Sequence, residues 1–175
     1  MSITPIALFW RRAAAAAGLD PSTAVPEAWS FADTPALADG LLGAVISGVK
    51  TGTSTSLAEL EADGEPVPQV GELSVLLDGA GLPRALIRTT SVTISAFEDV
   101  DAGFAASEGE DDLSLAAWRE GHAAYFARVL DRRGIPVERL GELPLVLERF
   151  ELLYAESREG VERMPDGSTA ARAAD

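Results

Sequence analysis

Lys50 and Thr53 stand three residues apart in the run Gly48-Val49-Lys50-Thr51-Gly52-Thr53. An amine and two hydroxyls at a corner between elements can cradle an anion or activate a nucleophile. Extended backbone from Lys50 onward puts Lys50 and Thr53 on opposite faces unless Gly52 bends the chain. It puts Thr51 and Thr53 on one face. The run is not a phosphate-binding loop, because the order of Gly and Lys is wrong and the first Gly is missing. The plainer reading is a solvated turn. A second cluster, Glu108-Gly109-Glu110-Asp111-Asp112, places four acids in five residues. It can bind a hard metal ion or hold a general base. Its plainer reading is capping of the helix that follows, with Asp111 or Asp112 at the N-cap and the acids at the positive end of the dipole.

Three further groups carry polar chemistry. Trp118 and His122 are four apart on an apolar helical stripe, where a lone His is more often a satisfied core residue than a catalyst. Arg84 and Arg88 are four apart on an expected strand and so face the same way. They suit bidentate recognition of a phosphate or carboxylate, or pairing with surface acids. Glu148-Arg149 lies inside the last expected strand, where alternation sends one of the two inward, in need of a partner.

The elements that must position these residues follow from periodicity and punctuation. Pro5 to Gly18 reads as a helix, with Pro at its start and Gly at its end. Leu19 to Phe31 reads as a loop. Asp33-Thr34-Pro35 offers an N-cap to a helix carrying Leu37, Leu41, Leu42, Val45 and Ile46, closed by Gly48. Leu57 to Gly64 is a short polar segment. Val70 to Leu77 and Arg84 to Ile94 read as a hairpin around Asp78-Gly79-Ala80-Gly81. Asp99 to Ser107 reads as a short helix. Leu113 to Arg132 is a long one, with Leu115, Trp118, His122, Tyr125, Phe126 and Val129 on its stripe. Pro144 to Tyr154 is a final strand with apolar residues on both faces. From Glu156 onward large apolar residues are scarce, and the composition is that of a disordered tail.

The chain has 175 residues, 47% of them apolar and 24% charged, the balance of one soluble globular domain. Acids outnumber bases 28 to 14, for a formal charge of −14. Such a surface repels phosphate, which argues against DNA and against an anionic membrane. Thirteen of the basic residues are Arg, and Lys50 is the only Lys. There is no cysteine and one histidine. Disulfides, thiolate chemistry and Cys-ligated metals are therefore excluded, and a His-rich metal site is disfavoured. The basic pair Arg11-Arg12 follows the first apolar stretch, the reverse of a secretory signal, and no apolar run is long enough to span a bilayer. The expected location is cytoplasmic.

Taken in order, the pieces resemble an ASCH domain. The resemblance runs through Trp29-Ser30-Phe31, Ala38-Asp39-Gly40-Leu41-Leu42, Ser47-Gly48-Val49-Lys50-Thr51-Gly52-Thr53 and Pro68-Gln69-Val70-Gly71-Glu72-Leu73. It continues through Glu108-Gly109-Glu110-Asp111-Asp112-Leu113-Ser114-Leu115, Trp118-Arg119-Glu120-Gly121-His122 and Glu148-Arg149-Phe150. It spans roughly residues 25 to 154. One departure is Asp111, where relatives usually carry Gly.

The resemblance implies an α+β fold: a small PUA-like β-barrel of five or six strands flanked by helices. It divides the chain into a domain over 1–155, with an N-terminal helical extension, and a tail over 156–175. It also implies a cleft for a small nucleoside-like ligand or short RNA, used by some relatives for ribonuclease action and by others as an amidohydrolase on N4-acetylcytidine. The working residues carried over are Lys50, Thr53 and Glu110. Lys50 is the expected general base, Thr53 the nucleophile or the residue that orients a water, and Glu110 the group that polarises substrate or shuttles a proton. Trp29, Thr51, Arg84, Arg88, Ser114, Trp118, Arg119 and His122 are the expected substrate contacts. For short RNA, Lys50, Arg84, Arg88 and Arg119 would line a basic groove. No metal or other cofactor is expected.

Overall fold

A computed structural model describes residues 4–31 and 34–156. The expected tail lies outside the described residues, apart from Glu156. Among the described residues, five α-helices and five strands follow one another: α1 (Pro5–Ala16), β1 (Glu27–Trp29), α2 (Pro35–Ile46), β2 (Gly52–Ser56), α3 (Leu57–Asp63), β3 (Leu73–Leu77), β4 (Pro83–Ala96), α4 (Ala102–Ser107), α5 (Leu115–Arg132) and β5 (Pro144–Ala155). The strands form one curled half-barrel sheet in the order β1-β3-β4-β5-β2. The fold is α+β, as expected.

Alternation along the strands decides which helix lies on which face. Val75 and Leu86 join Phe9, Trp10, Ala13 and Ala14 in a core beneath α1. Their neighbours Leu76, Ala85 and Ile87 point the other way and pack with Leu42, Val45, Phe31 and Phe150 beneath α2. A third core gathers Phe97, Phe104, Trp118, Phe126, Leu130 and Leu145 beneath α5. Removing side chains of this size from water supplies roughly 1.5–3 kcal/mol each, the main force holding helices to sheet.

Two elements differ from the sequence expectation. Residues 27–29, expected within a loop, form β1, which pairs in parallel with β3 from Glu27↔Ser74 to Trp29↔Leu76. Three residues beside a proline carry too little pattern of their own, so the neighbouring strand creates this one. The polar segment 57–64 is the helix α3. Its signal is a capping box: Ser56 Oγ accepts from Glu59 N at 3.2 Å, and Glu59 Oε2 accepts from Ser56 N at 3.3 Å.

Candidate functional site

Lys50 follows the end of α2 and precedes β2, where its backbone N–H donates to Ala44 O at 3.0 Å. Strand alternation therefore does not apply to it. Its side chain runs inward and is only 1% exposed. All three ammonium hydrogens have an acceptor: Glu108 O, Glu108 Oε2 and Glu110 Oε1, each 3.1 Å from Nζ. Nζ also lies 5.2 Å from the centroid of the Phe31 ring.

Glu108 is buried to the same degree as Lys50. Its Oε2 faces Lys50, and its Oε1 accepts from Ser54 Oγ at 2.6 Å and from Trp118 Nε1 at 3.0 Å. His122 Nε2 lies 3.3 Å from the same oxygen. Burial pushes the Glu108 carboxyl up. The hydrogen bond from His122, the charges of Lys50 and His122 and the Ser54 hydroxyl outweigh it and bring the carboxyl down to about 2. His122 Nδ1 is 3.0 Å from Trp118 O, so both ring nitrogens face oxygen atoms. The Trp118 and His122 rings stack at 4.2 Å, which fixes both donors against Glu108.

The loop from Glu108 to Ser114 carries both carboxylates and is held in unusual backbone. Gly109 has φ +71°, and a Cβ there would lie 2.8 Å from Lys50 N, so only glycine allows the loop to close on Lys50. Asp111 and Leu113 also have positive φ, 50° and 65°. Ser114, not Asp111 or Asp112, caps α5: its Oγ accepts from Ala117 N at 3.1 Å, while Asp112 Oδ1 accepts from Ser114 N. The turn carried by Asp111 and Leu113 moves the helix start two residues later than the acids suggest. Glu110 thereby stays free to reach Lys50, with its side chain 33% exposed.

These groups open onto a cavity of 260 Å³ between α2, β2 and α5. Lys50, Thr53, Ser54, Glu108, Glu110 and His122 supply its polar wall; Phe31, Leu37, Leu41 and Tyr125 supply the apolar one. Arg128 stands at its exposed edge, its guanidinium 5.8 Å from the Tyr125 ring centroid. One oxygen from each of Glu108 and Glu110 and a ring nitrogen of His122 lie within 4.8 Å of one another, a spacing that suits a divalent cation. Lys50 Nζ already bonds both carboxylates and supplies the positive charge such an ion would bring.

The expected site residues divide into three sets. Lys50, Thr53, Glu110 and His122 line the cavity. Trp118 and Trp29 stand behind its wall: Trp118 holds Glu108, and Trp29 packs edge-on against Phe31 at 4.8 Å. The other five face elsewhere. Thr51 is exposed and engaged through its backbone with Ser107 and Phe150, and Ser114 is the α5 cap. Arg119, one position round the helix from Trp118, donates to Glu98 O. Arg88 pairs with Glu151 at 2.6 Å, and Arg84 lines a different cavity beside the Asp78 turn. Four strand residues span about 13 Å, so a shared face did not bring these two arginines into one environment. The basic groove of Lys50, Arg84, Arg88 and Arg119 expected for short RNA is therefore not assembled. Sequence reasoning missed Ser54 and Phe31 as site residues; it offered Tyr125 only as a surface on which a base could stack, and Glu108 only as one of a cluster of four acids. The pointer to Glu108 was present: Trp118 and His122 on a buried stripe both need an acceptor.

Among the described residues, no helix is long and apolar enough to cross a membrane. No curated protein matches the sequence. Residues 27–154 match the family model of the ASCH domain. An ASCH domain from Lactobacillus crispatus JV V101 superposes with a TM-score of 0.75 at 30% identity, over 86% of this chain and 94% of that one. Protein EF3133 from Enterococcus faecalis V583 superposes with a TM-score of 0.76, also at 30% identity, over 97% of this chain and 98% of that one. With the family pattern over most of the chain and the same fold in both structures, the chain belongs to the ASCH domain family.

Proposed function

We propose that the Lys50 cavity binds a small, uncharged nucleoside-like ligand and hydrolyses an amide on it, as N4-acylated cytidine would present. The observation that carries the reading is the meeting of Lys50, Thr53 and Glu110 in one cavity with an aromatic and apolar wall. Phe31 and Tyr125 offer faces for a base, and a ligand without phosphate is compatible with a chain of charge −14.

The geometry alters the role expected of Lys50. An ammonium with all three hydrogens engaged has no lone pair to accept a proton. Glu110, the more exposed of the two carboxylates, is the better general base. In this reading the Thr53 hydroxyl attacks the acyl carbon and its proton passes to Glu110. The hydrogen bond from Lys50 to Glu110 weakens as Glu110 is protonated, and the released N–H turns to the developing oxyanion. Glu110 then returns the proton to the leaving amine, and a water activated by the same carboxylate cleaves the Thr53 ester. Glu108, its carboxyl held low, stays ionised throughout.

Hydrolysis of N4-acetylcytidine to cytidine and acetate, followed by chromatography, tests the reading. Wild type should turn over, while Thr53→Val and Glu110→Gln should each lose about 100-fold or more in kcat. An inactive wild type, or a fully active Thr53→Val, overturns the assignment.

A further inference from the structure

A larger cavity, of 430 Å³, lies on the other side of α2, between its C-terminal half, the Asp78–Leu82 turn and the end of β5. It shares no lining residue with the Lys50 cavity. Arg84 lines it, with a side chain only 10% exposed. A guanidinium has five donors. Its nearest carboxylate oxygen is Asp78 Oδ2, 3.7 Å from Nε, an ion pair longer than a hydrogen bond. None of its nitrogens is sealed away from the cavity without a partner. The side chain is therefore a largely buried cation, loosely paired with Asp78, that lines the cavity.

The carboxylates around it are differently placed. Asp39 Oδ1 already accepts from Gly79 N at 2.8 Å, Asp78 Oδ1 accepts from Ala80 N and Leu82 N, and Glu156 is held by Arg12. Asp39 and Glu156 each keep a second oxygen, and that of Asp78 faces Arg84. A simple anion would meet Arg84 but also three acids; a simple cation would meet the acids but also Arg84. A ligand bearing both charges close together satisfies both, and Leu42 and Ile46 offer an apolar wall to the rest of it. We infer that this cavity binds a small zwitterion of the α-amino-acid class, its carboxylate on Arg84 and its ammonium on Asp39 and Asp78. The pairing of planar guanidinium with carboxylate is the bidentate one that arginine favours.

The full chain, labelled with ¹⁵N, is titrated with L-leucine to about 10 mM and followed by amide shifts. 4-Methylpentanoate and isopentylamine, which carry the same body with one charge each, are titrated in parallel. L-leucine should move the amides of Gly79, Ala80 and Leu82, and each single-charge analogue should bind at least about tenfold more weakly. Arg84→Met, which replaces a buried charge by an apolar group of similar length, should weaken L-leucine about tenfold or more. Asp39→Asn, at an exposed position, tests the ammonium contact without risk to the fold and should weaken it several-fold. No shift with L-leucine, equal response to either analogue, or unchanged affinity in both variants overturns the inference. N4-acetylcytidine turnover is indifferent to all of these results, so this site and the Lys50 cavity stand or fall separately.

Discussion

Glu108→Gln is the sharpest test of how the Lys50 cavity is built. The glutamine has the same shape, so no void opens. Its one oxygen cannot serve both sides of the site. With that oxygen toward Trp118 and His122, the amide NH₂ points at the Lys50 ammonium; flipped, the NH₂ faces Trp118 Nε1, which can only donate. The lost charge pair stood at 3.1 Å, worth about 5 kcal/mol at an effective dielectric near 20. Breaking a buried pair from one side costs about 3–5 kcal/mol. The pH dependence gives a second route to the same size: taking the Glu108 carboxyl from its ordinary 4.5 to about 2 is worth about 3 kcal/mol.

Urea unfolding followed by tryptophan fluorescence should therefore show Glu108→Gln about 3–5 kcal/mol less stable at pH 7, with the midpoint about 2 M lower for a typical slope. A depressed carboxyl stabilises the fold above its unfolded value and loses that contribution as pH falls through its folded one. The gap between wild type and variant should thus be full above about pH 4.5 and shrink toward pH 2. In a Lys50→Met background the same substitution should cost much less, because the stranded charge is gone. A penalty below about 1 kcal/mol at pH 7, or one equally large in the Lys50→Met background, refutes the pairing as the source of the effect.

Three other outcomes are expected. Gly109→Ala places a Cβ 2.8 Å from Lys50 N in left-handed backbone, so it should cost about 2 kcal/mol or more and weaken the hold of Glu110 on Lys50; urea unfolding and turnover report the two effects. Leu113→Gly relieves a bulky residue at φ 65° and should raise stability by about 1 kcal/mol, read from the thermal midpoint. Glu148 is buried, and its carboxyl is raised, by burial first, against the hydrogen bond from Thr89, with Glu72 adding to the rise. It contributes stability below the ordinary carboxyl range and loses it as pH rises through its raised value. Glu148→Gln should therefore raise the thermal midpoint at pH 7, with the gain disappearing under acid conditions.

The sequence was most readable where one pattern dominated. Helical spacing placed α1, α2 and α5, and two apolar, β-branched runs either side of the Asp78 turn placed the β3–β4 hairpin. β1 was not legible, since three residues acquire strand geometry only from β3. The cavity was legible in its outline: Lys50, Thr53 and Glu110 come together from three separate segments. Its inner wall was not. Four consecutive-looking acids read as one solvated cap, yet Gly109 and the left-handed Asp111 and Leu113 turn Glu108 inward, Glu110 toward the cavity and Asp112 to the α5 start. Side-chain direction inside a loop depends on these backbone reversals, which composition does not encode.

The sheet order also bears on how the protein is made. β2 carries Thr53 and Ser54 and, among the described residues, bonds along its length only to β5, the last of the described strands, which lies between it and β4. On a ribosome, β1, β3 and β4 can pair while synthesis continues, but β2 must wait for β5 to emerge, roughly ten seconds at ordinary elongation rates. The acid-bearing loop and α5 appear during that interval with half of their cavity unframed. A chain released before β5 would hold every polar residue of the site and have no sheet on which to assemble it. Assembly of the cavity is thus deferred until β5 is made, and β5 acts as the keystone of the half-barrel.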